Sequence, residues 1–155
     1  MTYVILKYFS STINCSVKPT MLIPCEVAVK SVVPAIRCAI AKQLIQTYGL
    51  KQKDVASLLG ITQTAVSKYT RHVRGRVVKI ENVNEVQPLI IEIAASLANG
   101  HISRFELVKK FCVACTIIRR NGLMCKLCKR SDPSLDIQHC NICSSGFSFC
   151  ENSKV

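Results

Sequence analysis

The side chains best suited to chemistry are cysteines. Six of the ten form three CxxC pairs, Cys112/Cys115, Cys125/Cys128 and Cys140/Cys143, all within the span 112–143. Nine residues separate the first pair from the second, and eleven separate the second from the third. A CxxC lets two thiolates converge on one ion across a tight turn. Two such pairs make the tetrahedral set of four sulfurs that structural zinc takes. An iron–sulfur cluster of the 4Fe–4S or 2Fe–2S kind wants the same four sulfurs, so spacing does not choose between Zn2+ and a cluster. All six cysteines are candidate ligands. The first two pairs are close enough in sequence to close one site, and the third could replace one of them, add a ligand or stay free. His139 beside Cys140 is a possible ligand but reads better as a solvent-facing histidine, Cys38 reads as a small core residue, and Cys15, Cys25 and Cys150 have no matching partner spacing.

A second set of residues suits a polyanion. The chain of 155 residues carries a formal +12, and residues 31–80 hold nine basic side chains against one acid, Asp54, a net +8. Such a concentration points to nucleic acid or an acidic surface. Within it, residues 62–71 offer Thr62, Gln63, Thr64, Ser67, Lys68 and Arg71: short polar groups, an amide suited to adenine edges, and cations for guanine or phosphate. Arg74 and Arg76 follow and fit backbone neutralisation, which sets affinity and salt dependence rather than specificity.

These groups need elements to position them, and the apolar pattern predicts an all-α chain. Val33, Ile36, Ile40, Leu44 and Tyr48 recur at spacings of three and four, predicting a helix over 31–48 with Ser31 as cap and Pro34 in the first turn. Residues 51–59 read as a short helix with Val55, Leu58 and Leu59 inward, ended by Gly60. Thr62 then caps a helix over 63–72 with Ala65, Val66 and Tyr69 inward. Two short helices around so tight a turn make a helix-turn-helix, whose second helix enters the major groove. Residues 75–84 are open between a strand pair and a loop. A helix over 88–98 is apolar across a wide arc, which favours burial against a second subunit; coverage by the cysteine segment of the same chain is the alternative. Ser103 and Glu106 form a capping-box pattern for a fifth helix, carrying Phe105, Val108 and Phe111 and ending at Cys112 and Cys115. Beyond Gly122 periodicity fades. The expected organisation is an arm over 1–20, with Met21 a candidate true start, then a DNA-binding domain over 21–84, a helical dimerisation or linker region over 85–111, and a cysteine-rich metal-binding segment over 112–150.

The run QKDVASLLGITQTAVSKYTRHVRG resembles the helix-turn-helix of the Cro and phage-repressor, or XRE, type. The resemblance is carried by Gln52, Val55-Ala56, Leu59-Gly60-Ile61, Gln63, Val66-Ser67 and Tyr69. The wider span 21–130 is similar to an archaeal family of transcriptional regulators that place a cysteine-rich segment after the helical domain. That resemblance implies a five-helix-type DNA-binding domain, an archaeal source and a homodimer on double-stranded DNA. It makes Gln52 a backbone-contacting or capping residue, and Gln63, Thr64, Ser67 and Lys68 the base readers. Residues 1–20 and the tail after Cys143 fall outside it.

Other classes fit less well. A thiol–disulfide oxidoreductase needs its CxxC at a helix start in a βαβ setting, and neither a phosphate loop nor a nucleophile paired with a base is present. An RNA-binding or polymerase-associated factor could use Arg119, Arg120, Lys126, Lys129 and Arg130, but the segment has few aromatics for stacking on bases. No apolar run reaches the roughly 18 residues of a membrane span, the N-terminus lacks a convincing secretory signal, and a cytoplasmic location with reduced thiols is expected.

Overall fold

A computed structural model describes residues 22–144. The expected arm over 1–20, the start at Met21, and Cys15 and Cys150 lie outside the described residues. Within them the chain is all-helical: α1 Pro24–Gln46, α2 Gln52–Leu59, α3 Gln63–Thr70, α4 Gln87–Ala98, α5 Arg104–Arg120 and α6 Cys125–Ser131. No strand forms among the described residues.

Helix α1 is the axis of the fold and packs against all five others. Its Val32, Ile36, Ile40 and Leu44 are wholly buried, joined by Val55, Val66, Val86, Ile93 and Ile118 from the surrounding elements. Being enclosed on several sides, α1 also buries Ala28, Ala35, Cys38 and Ala41, more than the single stripe its periodicity predicts. It starts seven residues before the expected cap. Pro24 occupies the first turn, where a missing N–H costs nothing, and Val27 and Ala28 extend the buried face. Ser31 is therefore no cap; its hydroxyl donates to the Val27 carbonyl at 2.7 Å. Pro34 falls in the helix interior, where it withholds one helical hydrogen bond that packing on all sides must offset.

The two short helices are closed by backbone geometry. Gly60 is left-handed (φ 60°), its N–H reaches the Ser57 carbonyl at 3.2 Å, and the Ile61 N–H reaches Ala56 at 2.9 Å. Thr62 accepts from the Ala65 N–H at 3.2 Å and caps α3 as its sequence predicts. Helix α3 stops at Thr70 rather than residue 72. There the His72 N–H bonds to Tyr69 and the Val73 N–H to Lys68, a complete Schellman closure with His72 at φ 58° in the position glycine usually takes. His72→Gly should therefore stabilise the fold by about 1 kcal/mol, read as a raised denaturation midpoint at unchanged slope; an unchanged or lower midpoint would show no strain to relieve.

Residues 71–86 form no strand pair. They are an irregular loop pinned by buried Val78, Ile80, Val83 and Val86, and the Gln87 side chain donates to the Ile80 carbonyl at 3.0 Å. Gly75 (φ 81°) lies hard against α1: a Cβ there would stand 2.6 Å from Cys38 Cβ and 2.8 Å from the Pro34 carbonyl oxygen.

Helix α4 buries Ile90, Ile93, Ala94 and Leu97 against α1 and α5. Much of the apolar arc expected to face a second subunit is thus covered within the chain, leaving Ile91 exposed. Helix α5 begins with the expected cap, its Glu106 N–H on the Ser103 hydroxyl at 3.1 Å. It does not end at the first cysteine pair: Cys112 and Cys115 sit mid-helix, and the helix runs on to Arg120. Its buried residues are Ala114 and Ile118, whereas Phe105 is 73% and Val108 55% exposed, so the N-terminal half presents apolar side chains outward. A sixth helix, α6, forms in the span where periodicity fades. At seven residues it is too short to show a pattern, and Cys125 and Cys128 lie on it.

Candidate functional site

Two clusters of side chains could act on something outside the chain. The first is the outer face of α3. Ala65, Val66 and Tyr69 point into the core, which turns Gln63, Thr64 and Lys68 into solvent and leaves Ser67 half-buried beside them. These residues and Arg71 follow the spacing of one helical face. Tyr69 locks the orientation: its ring is buried, and the Cys38 thiol of α1 donates to its carbonyl oxygen at 3.8 Å. Burial pushes the Cys38 thiol pKa up, keeping it a neutral donor.

Arg71, Arg74 and Arg76 are all exposed just beyond α3. The Arg71 Nε donates to the Ser67 carbonyl at 3.4 Å, which draws its guanidinium back along the helix. Among the described residues no acid pairs with Lys68, Arg71, Arg74 or Arg76, so their charge is uncompensated. Gln52 stands at the first position of α2, half-buried, between exposed Lys51 and Lys53. Thr62 is exposed with its oxygen already on the Ala65 N–H, so the hydroxyl proton is what it has left to offer.

The second cluster is sulfur-rich. Cys125, Cys128, Cys140 and Cys143 line one cavity of about 220 Å³ between α6 and the following chain, with Arg119 on its wall. The Cys125 and Cys128 thiols both have raised pKa values, chiefly through burial and then through the neighbouring charges of Cys143 and Cys140. The first pair is placed differently. Cys115 on α5 is raised by burial most of all, opposed by Arg119 and reinforced by Cys25, Cys112 and Cys143. Arg119 reaches across the group, its Nη1 3.4 Å from Cys25 Sγ near the start of α1. His139 is exposed and pairs with Asp136, whose carboxyl it holds below the usual range. Among the described residues no three His, Cys, Asp or Glu side chains already stand in a metal-holding group.

Sequence reasoning missed Cys25 and Arg119 as neighbours of the thiols. They lie 94 positions apart, and nothing local marks either one. It also missed that a CxxC can lie along a helix, where a spacing of three keeps both sulfurs on one face without a turn. No helix among the described residues is long and apolar enough to cross a membrane.

No protein-family model, curated protein or solved structure matches this chain. A functional reading therefore stands on the residues and their arrangement.

Proposed function

We propose that the chain is a sequence-specific regulator of transcription that binds double-stranded DNA through α3, with a metal held in its cysteine-rich part. One observation carries the reading: α3 buries Ala65, Val66 and Tyr69 and turns outward an amide, hydroxyls and a lysine, flanked by arginines that no acid neutralises among the described residues. Helix α2, the three-residue turn and α3 act as the helix-turn-helix. Gln63, Thr64, Ser67 and Lys68 read base edges, while Arg71, Arg74 and Arg76 hold phosphates. Thr62 and Gln52 approach the backbone from the two helix starts, where unpaired N–H groups and the helix dipole favour an anion.

The active species is a homodimer in the cytoplasm. Exposed Ile91, Phe105 and Val108 on α4 and α5 offer apolar surface for pairing. A dimer requires two half-sites about one DNA turn apart, so the operator is nearly palindromic. Zinc in a structural role, or alternatively an iron–sulfur cluster, supplies stability that so short a cysteine-rich tail cannot draw from a core of its own. No catalytic step is assigned to the chain.

Selection from a random duplex library, followed by titration of the enriched site, tests the reading. An enriched palindrome bound by two chains is expected. On that site Gln63→Ala should cost about 1–3 kcal/mol and relax the preference at one base pair of each half-site. Selectivity unchanged by Gln63→Ala would remove α3 as the reading helix. Equal affinity for structured RNA and for every duplex would favour an RNA-binding factor instead.

A further inference from the structure

We infer that Cys125, Cys128, Cys140 and Cys143 are the four ligands of a single thiolate-bound metal centre, and that Cys112 and Cys115 stand outside it. The inference rests on the reading that the cysteine-rich part binds metal, and it names the ligand set.

Three observations converge on these residues. All four thiols line the same cavity, and neither Cys112 nor Cys115 does. Cys125 and Cys128 are one turn apart on α6, a spacing that places both sulfurs on one face. Cys140 and Cys143 lie in non-helical chain, Cys143 within a turn closed by the Ser144 N–H on the Asn141 carbonyl at 3.1 Å and Cys140 just before it. That turn can draw in on α6 without breaking a helix. By contrast, Cys112 and Cys115 are held mid-way along α5, with helix continuing on both sides.

The surroundings suit such a centre. Leu22, Pro24, Met124 and Leu135 line the same cavity and make most of its wall apolar, with Asp132 among them. A divalent ion displaces one proton from each thiol, so M2+ and four R–SH become M(SR)4 with a net charge of −2 and four protons released. Arg119, on the same wall, brings a fixed positive charge to offset that −2. Cys25, exposed at the start of α1, lies 3.4 Å from the Arg119 guanidinium and stands outside the ligand set.

The test uses the native full-length chain, prepared once with zinc and once anaerobically with iron and sulfide. Metal and acid-labile sulfide are assayed, and cysteine alkylation is mapped by mass spectrometry before and after a chelator. The expected result is about one zinc or one cluster per chain, with Cys125, Cys128, Cys140 and Cys143 alkylated at least about tenfold faster once the metal is removed. Cys25, Cys112 and Cys115 should react at rates the chelator does not change. Sulfur neighbours counted by X-ray absorption should number four, at about 2.3 Å if the metal is zinc. As a second line, the double variant Cys112→Ser/Cys115→Ser should keep its metal, and Cys140→Ser/Cys143→Ser should lose at least about nine-tenths of it. Chelator-dependent unmasking of Cys112 and Cys115 would overturn the ligand set while leaving metal binding intact. A native chain that takes up neither zinc nor a cluster would overturn the underlying reading as well.

Discussion

Gly75→Ala is expected to destabilise the fold by about 2–5 kcal/mol, because two independent costs add. The backbone is at φ 81°, where an L side chain is strained by about 1–2 kcal/mol. The new methyl would also stand 2.6 Å from Cys38 Cβ and 2.8 Å from the Pro34 carbonyl oxygen, an overlap with backbone and core that typically costs about 1–3 kcal/mol. Neither neighbour yields easily. Cys38 is buried in α1 and bonded to Tyr69, and the carbonyl belongs to the central helix. Chemical denaturation at equilibrium measures the destabilisation. A change under about 0.5 kcal/mol would mean that the 71–86 loop does not press on α1 as described. Because Arg74 and Arg76 flank this glycine, the variant should also weaken DNA binding at temperatures where it remains folded.

The second large effect is electrostatic. On the selected operator, the triple variant Arg71→Gln/Arg74→Gln/Arg76→Gln should flatten the plot of log affinity against log salt by about 2.7, close to 0.9 for each phosphate no longer neutralised. Affinity should fall most at low salt and nearly equally on specific and random duplexes, since these side chains neutralise backbone rather than read bases. Gln63→Ala should do the reverse, changing preference and leaving the slope alone. A triple variant that keeps the parental slope would remove these arginines from the interface, even if α3 remained the reading element.

The elements that carry the proposed interface are legible in the sequence because they are locally coded. Thr62 caps α3, Gly60 is the residue a left-handed closure needs, and Ala65, Val66 and Tyr69 mark one face of a short helix. Each signal acts within one or two turns of chain. The limits of α1 are less legible. Ser31 and Pro34 resemble a helix start, but burial of Val27 and Ala28 carries the helix back to Pro24, and only packing supplies that energy. In α5, Phe105 and Val108 are apolar yet exposed, so apolar composition alone does not mark the buried face. The length of α5 past Cys115 and the existence of α6 are hidden for a related reason: a run of cysteines and basic residues has weak helical periodicity.

The sequence by itself determined the all-α character, the tight joint between α2 and α3, the outward side chains of α3 and the presence of three CxxC pairs, because all of these follow from helix period, capping chemistry and spacing. Only the tertiary structure decided that α1 is enclosed by every other helix, that Gly75 must be bare to pass Pro34 and Cys38, and that the second and third cysteine pairs share a cavity while the first is held along α5. Those outcomes depend on packing between segments far apart in the chain. They are set by which apolar faces can be buried together, and a local pattern cannot encode that choice.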